Sequence, residues 1–192
     1  MLRGIAFAAT LLALVLPSPG TAATSGADVM FDGGTAREQA EVRAALRASS
    51  FDWRLLRRQV TVHIGRYGTS SSTPGHVWLD GGLLRSGRFA WATVMDEFAH
   101  QVDFFLLDGP RRQLLQERLG TQAWCYEDPA LSHGANGCER FASMVAWAYW
   151  PTKHNAYRPR TRADETASMS AAEFRSLLAD LIGAPRAAGP KS

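Results

Sequence analysis

Arg88-Phe-Ala-Trp-Ala-Thr-Val-Met-Asp-Glu-Phe-Ala-His-Gln-Val-Asp-Phe-Phe-Leu-Leu107 runs without Gly or Pro and is apolar at most positions. That pattern predicts a buried helix. Gly109-Pro110 should end it, because Gly suits a left-handed residue just past a helix end and Pro cannot extend the helix. Thr93, Asp96, Glu97, His100 and Asp103 fall at steps of three and four, which places them along one stripe of this rod. Carboxylates and an imidazole are costly on a core helix unless paired, hydrogen-bonded or bound to a metal. A core helix with satisfied polar groups is one reading of the stripe, and a site is the other.

Asp96-Glu97-Phe98-Ala99-His100 differs at one position from His-Glu-x-x-His, in which two His one turn apart hold Zn²⁺ and the Glu polarises the attacking water. Here Asp96 stands at the first ligand position. Downstream, Cys138-Glu139-Arg140-Phe141-Ala142 opens another apolar helix that should run to Trp150 before Pro151. Phe141, Val145 and Tyr149 should face inward from it.

With these residues quoted, the chain between about Val60 and Trp150 resembles the small Glu-ligand zincins related to the catalytic domains of anthrax lethal factor and the Pro-Pro endopeptidases. The resemblance implies an α+β, zincin-like fold, with a small sheet packed on a central buried active-site helix and further helices around it. It implies His100 and Glu139 as metal ligands, with Asp96 where the family has its first His, and Glu97 as general base. Relatives carry a Tyr ahead of the third-ligand Glu, which points to Tyr126 as the oxyanion-stabilising residue. Zinc is the implied cofactor and a peptide or protein the implied substrate. Two outcomes stay open for Asp96: a working ligand in a zinc-dependent peptidase-like hydrolase, or the mark of a pseudo-peptidase kept as a secreted binding module. Asp103, three residues after His100, could orient a ligand or make an ordinary contact.

Residues 1–23 read as a secretory signal, with Arg3, an apolar run from Ile5 to Leu16, and small residues up to Ala23. The run is too short to span a bilayer comfortably, so no membrane segment is expected after cleavage, an uncleaved anchor being the other reading. The expected destination is secretion or the cell envelope. Residues 24–34 read as a flexible lead-in, 35–183 as one domain, and 184–192 as a disordered tail. The formal net charge is only +3, and Arg supplies nearly all the cationic groups, interspersed with acids. This argues against a nucleic-acid partner. The chain has two cysteines, Cys125 and Cys138, and an oxidising destination favours a disulfide between them.

The remaining elements follow from local signals. Thr35 and Glu38 have capping-box spacing, as do Ser170 and Glu173, and each should open a helix, the first packing lightly on the surface. Gln59 to Ile64 alternates as a half-buried strand with Val60, Val62 and Ile64 inward. His76 to Asp80 should be a second strand with His76, Trp78 and Asp80 on one face; the resemblance implies that it borders the cleft, and an ordinary edge strand is the other reading. Pro110 to Gly120 reads as a short helix burying Leu114, Leu115 and Leu119.

Overall fold

The computed structural model describes residues 27–125 and 130–184. The signal at 1–23, the start of the lead-in, Tyr126 and the tail from 185 onward lie outside the described residues. The architecture is α+β: a four-stranded sheet in the order β1-β2-β4-β3, covered on one face by helices. Strands β1 (Asp28–Gly33), β2 (Gln59–Gly65) and β4 (His76–Asp80) are parallel, and β3 (Ser71–Thr73) is antiparallel to β4.

The presence of β1 corrects the expectation of a flexible lead-in. Val29 and Phe31 are half-buried at alternate positions, and the strand aligns with β2 from Asp28 opposite Gln59 to Gly33 opposite Ile64. Parallel partners need a crossover connection. Helix α1 (Ala36–Ala48) supplies it, so it buries Val42, Ala45 and Leu46 instead of packing lightly. Its capping box forms as expected: the Thr35 hydroxyl accepts from the Glu38 amide and the Glu38 carboxylate accepts from the Thr35 amide.

Val60, Val62, Ile64, Val77 and Leu79 are the buried face of the sheet. The cleft-bordering role expected of β4 is ruled out by its position, since it is paired with β2 on one side and β3 on the other. The edges of the described sheet are β1 and β3, and β3 is the one beside α3. Asp80 does not face a cleft either: it caps the short helix α2 (Gly81–Leu84) through the Leu83 amide and accepts from Tyr67 and Gly68.

The central helix α3 (Trp91–Leu106) is fully buried along its middle. Residues Gly87–Ala90 form a 3-10 turn that leads into it. Its end differs from expectation. Leu107 leaves the helix in extended conformation, Asp108 caps α4 (Gly109–Leu119), and Gly109-Pro110 begin α4 instead of terminating α3. Pro is tolerated there because first-turn amides have no intrahelical acceptor. In α4 Leu115 and Leu119 are buried, while Leu114 is exposed. Helix α5 (Gly137–Tyr149) packs along α3 with Phe141, Val145 and Tyr149 buried, and α6 (Ala171–Ile182) packs on α5 behind its own Ser170–Glu173 capping box. No described helix is long and apolar enough to cross a membrane.

Cys125 and Cys138 form a disulfide. Beside it the Gly137 amide donates to Ala123 and the Cys138 amide to Trp124, so backbone and disulfide together fix the start of α5. A Cβ on Gly137 would sit 2.7 Å from the Trp124 ring, so this junction admits only glycine without displacement. The bond closes a loop with sequence separation 13. For a loop of that length the chain-entropy model gives about 3 kcal/mol. Replacing both cysteines by Ser should therefore lower Tm by roughly 6–12 °C, measured by circular dichroism. An unchanged Tm would mean that the backbone contacts alone fix this junction.

Candidate metal centre

Asp96 and His100 are one turn apart on α3, and Glu139 and Ser143 are one turn apart on α5. The two helices run in opposite directions at this point. His100 Nε2 therefore lies 3.4 Å from Glu139 Oε2, while the Ser143 hydroxyl donates to Asp96 Oδ1 at 3.2 Å. Asp96, Glu97, His100 and Glu139 are each less than a tenth exposed. One donor atom from each of Asp96, His100 and Glu139 falls within 4.8 Å of the other two. Glu139 sits in the first turn of α5, where the helix dipole favours a carboxylate.

Glu97 is turned toward the sheet. The Ser72 hydroxyl on β3 lies 2.8 Å from Glu97 Oε2 and 2.9 Å from the Glu97 carbonyl oxygen. The hairpin carrying Ser72 is clamped by the fully buried Gln101. Its amide nitrogen donates to the Thr73 and His76 carbonyls, and its amide oxygen accepts from Gly75. Asp103 does not serve the centre directly, since Arg112 and Trp124 take its carboxylate and tie α3 to α4 and to the disulfide region. The sequence offered no signal that separated Asp103 from the site stripe.

Several members of the site were invisible or only hinted at in the sequence. His133, which the sequence places with Tyr126 in the irregular connection before α5, has Nε2 2.8 Å from Glu139 Oε2 and Nδ1 3.4 Å from Glu165 Oε1. Ser143 Oγ also lies 3.3 Å from Glu165 Oε2, so its single proton is shared between the carboxylates of Asp96 and Glu165. Its position one turn after Glu139 was a usable signal. Tyr157 comes from the basic loop after α5, where no pattern marks it. Burial, with the charges of Asp96, Glu97 and Glu165, holds its phenol protonated well above the usual range. A cleft of about 630 Å³ opens beside the cluster between Phe89, His133, Tyr157, Arg158, Arg160 and Glu165. A second hollow of about 560 Å³, bordered by Arg43, Arg47, Arg57 and Arg58, contains no member of the cluster.

Compared with family models, curated proteins and solved structures, the chain has no match. Its chemistry is to be read from these side chains.

Crowding the acids together has a cost that appears in their ionisation. Burial, together with Glu97 and Glu139, pushes Asp96 up to about 7 against the pull of His100. Burial likewise raises Glu97, against the Ser72 hydrogen bond. For His100, burial favours the neutral ring, yet Glu139, Asp96 and Glu97 outweigh it and raise the imidazole to about 9. The hydrogen bonds of His133 to Glu139 and Glu165 raise it to about 10. The cluster thus holds protons tightly.

The residues fit zinc by type, and one separation matches its geometry. Zinc takes carboxylate oxygen and imidazole nitrogen at ~2.0–2.2 Å, and adjacent donors on such a tetrahedron lie ~3.4 Å apart. The 3.4 Å between His100 Nε2 and Glu139 Oε2 matches that edge, and is long for the ~2.8 Å of a charge-assisted hydrogen bond.

Proposed function

We propose that this chain is a zinc-dependent peptidase-like hydrolase with a zincin-like core, in which Asp96, His100 and Glu139 hold the metal and Glu97 is the general base. The observation that carries the proposal is the convergence of three buried donors from two helices, with a second buried carboxylate, Glu97, beside them. A bound zinc ion would supply Lewis acidity, polarising the scissile carbonyl and making water acidic enough to attack near neutral pH.

The chain's own groups do the rest. Burial raises the proton affinity of Glu97, which suits a carboxylate that must accept a proton from water and pass it to the leaving amine. Ser72 holds that carboxylate in place. Tyr157, whose phenol stays protonated near the acids, would donate to the developing oxyanion. The free edge of β3 offers main-chain groups to an extended peptide running past Glu97. The proposed setting is secretion or the cell envelope, which the disulfide suits.

One observation favours a second reading, a noncatalytic secreted binding module. The acids have protein partners without any metal, Asp96 with Ser143 and Glu139 with His133.

Thermal melts with and without zinc test the proposal. Zinc at about 100 times its Kd should add roughly 2.7 kcal/mol. The pH dependence has a definite sign. Asp96, His100 and His133 all have folded-state pKa values above their ordinary ones, so their stabilisation is complete below about pH 4 for Asp96 and below about 6.5 for the imidazoles. It is lost as pH rises through about 7, 9 and 10 respectively. Metal replaces those protons, so the zinc-induced rise in Tm should grow between pH 5.5 and pH 8 and vanish in His100→Ala. No zinc-induced shift at either pH would remove the hydrolase.

A further inference from the structure

The face of the sheet opposite the buried valines carries a line of polar side chains on three adjacent strands. Asp32 on β1 is directly opposite His63 on β2, and His63 is directly opposite Trp78 on β4, with His76 its diagonal neighbour. Asp32 Oδ2 lies 2.8 Å from His63 Nδ1, and His63 Nε2 lies 3.0 Å from His76 Nδ1. The Trp78 ring stacks on His63 with centroids 4.9 Å apart and planes 11° apart, holding the imidazole upright. His76 is exposed and Asp32 largely so, leaving the group open to solutes.

A carboxylate only accepts hydrogen bonds, so Asp32 draws the proton of a neutral His63 to Nδ1 and leaves the lone pair on Nε2. Metal-binding imidazoles are prepared in this way, with the outer nitrogen on a carboxylate and the inner one bare. With its proton on Nε2, His76 presents a second lone pair from Nδ1. Without a cation the His76 proton lies on Nδ1 instead and donates to His63 Nε2 at 3.0 Å, and a cation takes the place of that proton between the two nitrogens.

The spacing also selects the cation. Two nitrogens 3.0 Å apart and each ~2.0 Å from one ion subtend about 97°, the cis corner of a square-planar shell, as Cu(II) and Ni(II) adopt. A tetrahedral edge would be nearer ~3.4 Å. We propose that His63 Nε2 and His76 Nδ1 form a chelating site for a square-planar divalent cation, with Asp32 orienting His63 and solvent completing the shell. Copper binds there more tightly than nickel or zinc, following the order of divalent affinities. The site is separate from the centre between α3 and α5 and does not depend on its function.

Calorimetric titration of the full chain with Cu(II), paired with electron paramagnetic resonance of the loaded protein, tests this. The parent protein is expected to take up one equivalent more than His76→Ala, with a square-planar signal showing two coupled imidazole nitrogens. Asp32→Asn should keep the equivalent but weaken it about tenfold, the low end of the effect of removing an outer partner. Both substitutions are at exposed positions, and circular dichroism verifies the fold. Equal copper uptake by the parent and His76→Ala overturns the proposal, leaving a hydrogen-bonded histidine pair. A tetragonal signal lacking the two nitrogens also overturns it.

Discussion

Glu97→Gln is expected to lower kcat for peptide hydrolysis by about 10²–10⁴-fold while leaving zinc uptake within a few-fold of the parent. The substitution keeps the shape of the side chain and an oxygen for the Ser72 hydroxyl, but removes the basicity. The Ser72 hydroxyl lies within hydrogen-bond distance of Glu97 Oε2 and of the Glu97 carbonyl, so the variant amide should stay where the carboxylate was. The raised proton affinity of Glu97 is what gives the loss its size, since a base far below the working pH would contribute less. The measurement is kcat and KM on a general peptide substrate, with zinc content determined on the same preparations. Loss of zinc together with activity would instead make Glu97 a ligand or a fold-holding residue, and unchanged kcat would remove it as the base.

Asp96→His should tighten zinc binding by at least about tenfold. A second imidazole reaches further from the helix than the short Asp side chain and removes one carboxylate from a site holding Asp96, Glu97 and Glu139 together. The burial that pushes Asp96 up to about 7 shows how poorly the fold tolerates its charge. Against this stands volume: Asp96 is 4% exposed, and a larger ring there costs about 1–3 kcal/mol of metal-free stability. The expected pattern is thus a lower metal-free Tm, a larger zinc-induced rise, and hydrolysis maintained or increased. If the natural chain neither binds zinc nor hydrolyses peptide while Asp96→His does both, the natural protein is a binding module built on a lapsed peptidase. If zinc affinity falls, the space beside Ser143 is too tight for a ring, and Asp96 belongs to the working ligand set.

How far the sequence could be read depended on whether a signal was local. Both capping boxes, the alternation of β2 and the inward face of α5 involve residues within a few positions of one another, and each formed as expected. The stripe on α3 was legible for the same reason, because helical periodicity alone aligns Asp96, His100 and their neighbours. Strand β1 was not, since a short segment of modest hydrophobicity becomes a strand only when β2 is present to pair with it and α1 spans the crossover. Strand β4 is interior and β3 lies at an edge because strand order is a property of pairing across the chain.

By itself, the sequence determined the helix that carries the acids, the residue types able to hold a metal, and the cysteine pair. Only the tertiary structure decided that His100 meets Glu139 and Asp96 meets Ser143, that Ser72 holds Glu97, and that His133, Tyr157 and Glu165 close around them. The physical reason is that backbone periodicity fixes which side chains share a face of one element. Which faces meet is set by burying the apolar surfaces of α3, α5 and the sheet against one another, and no local signal records that choice.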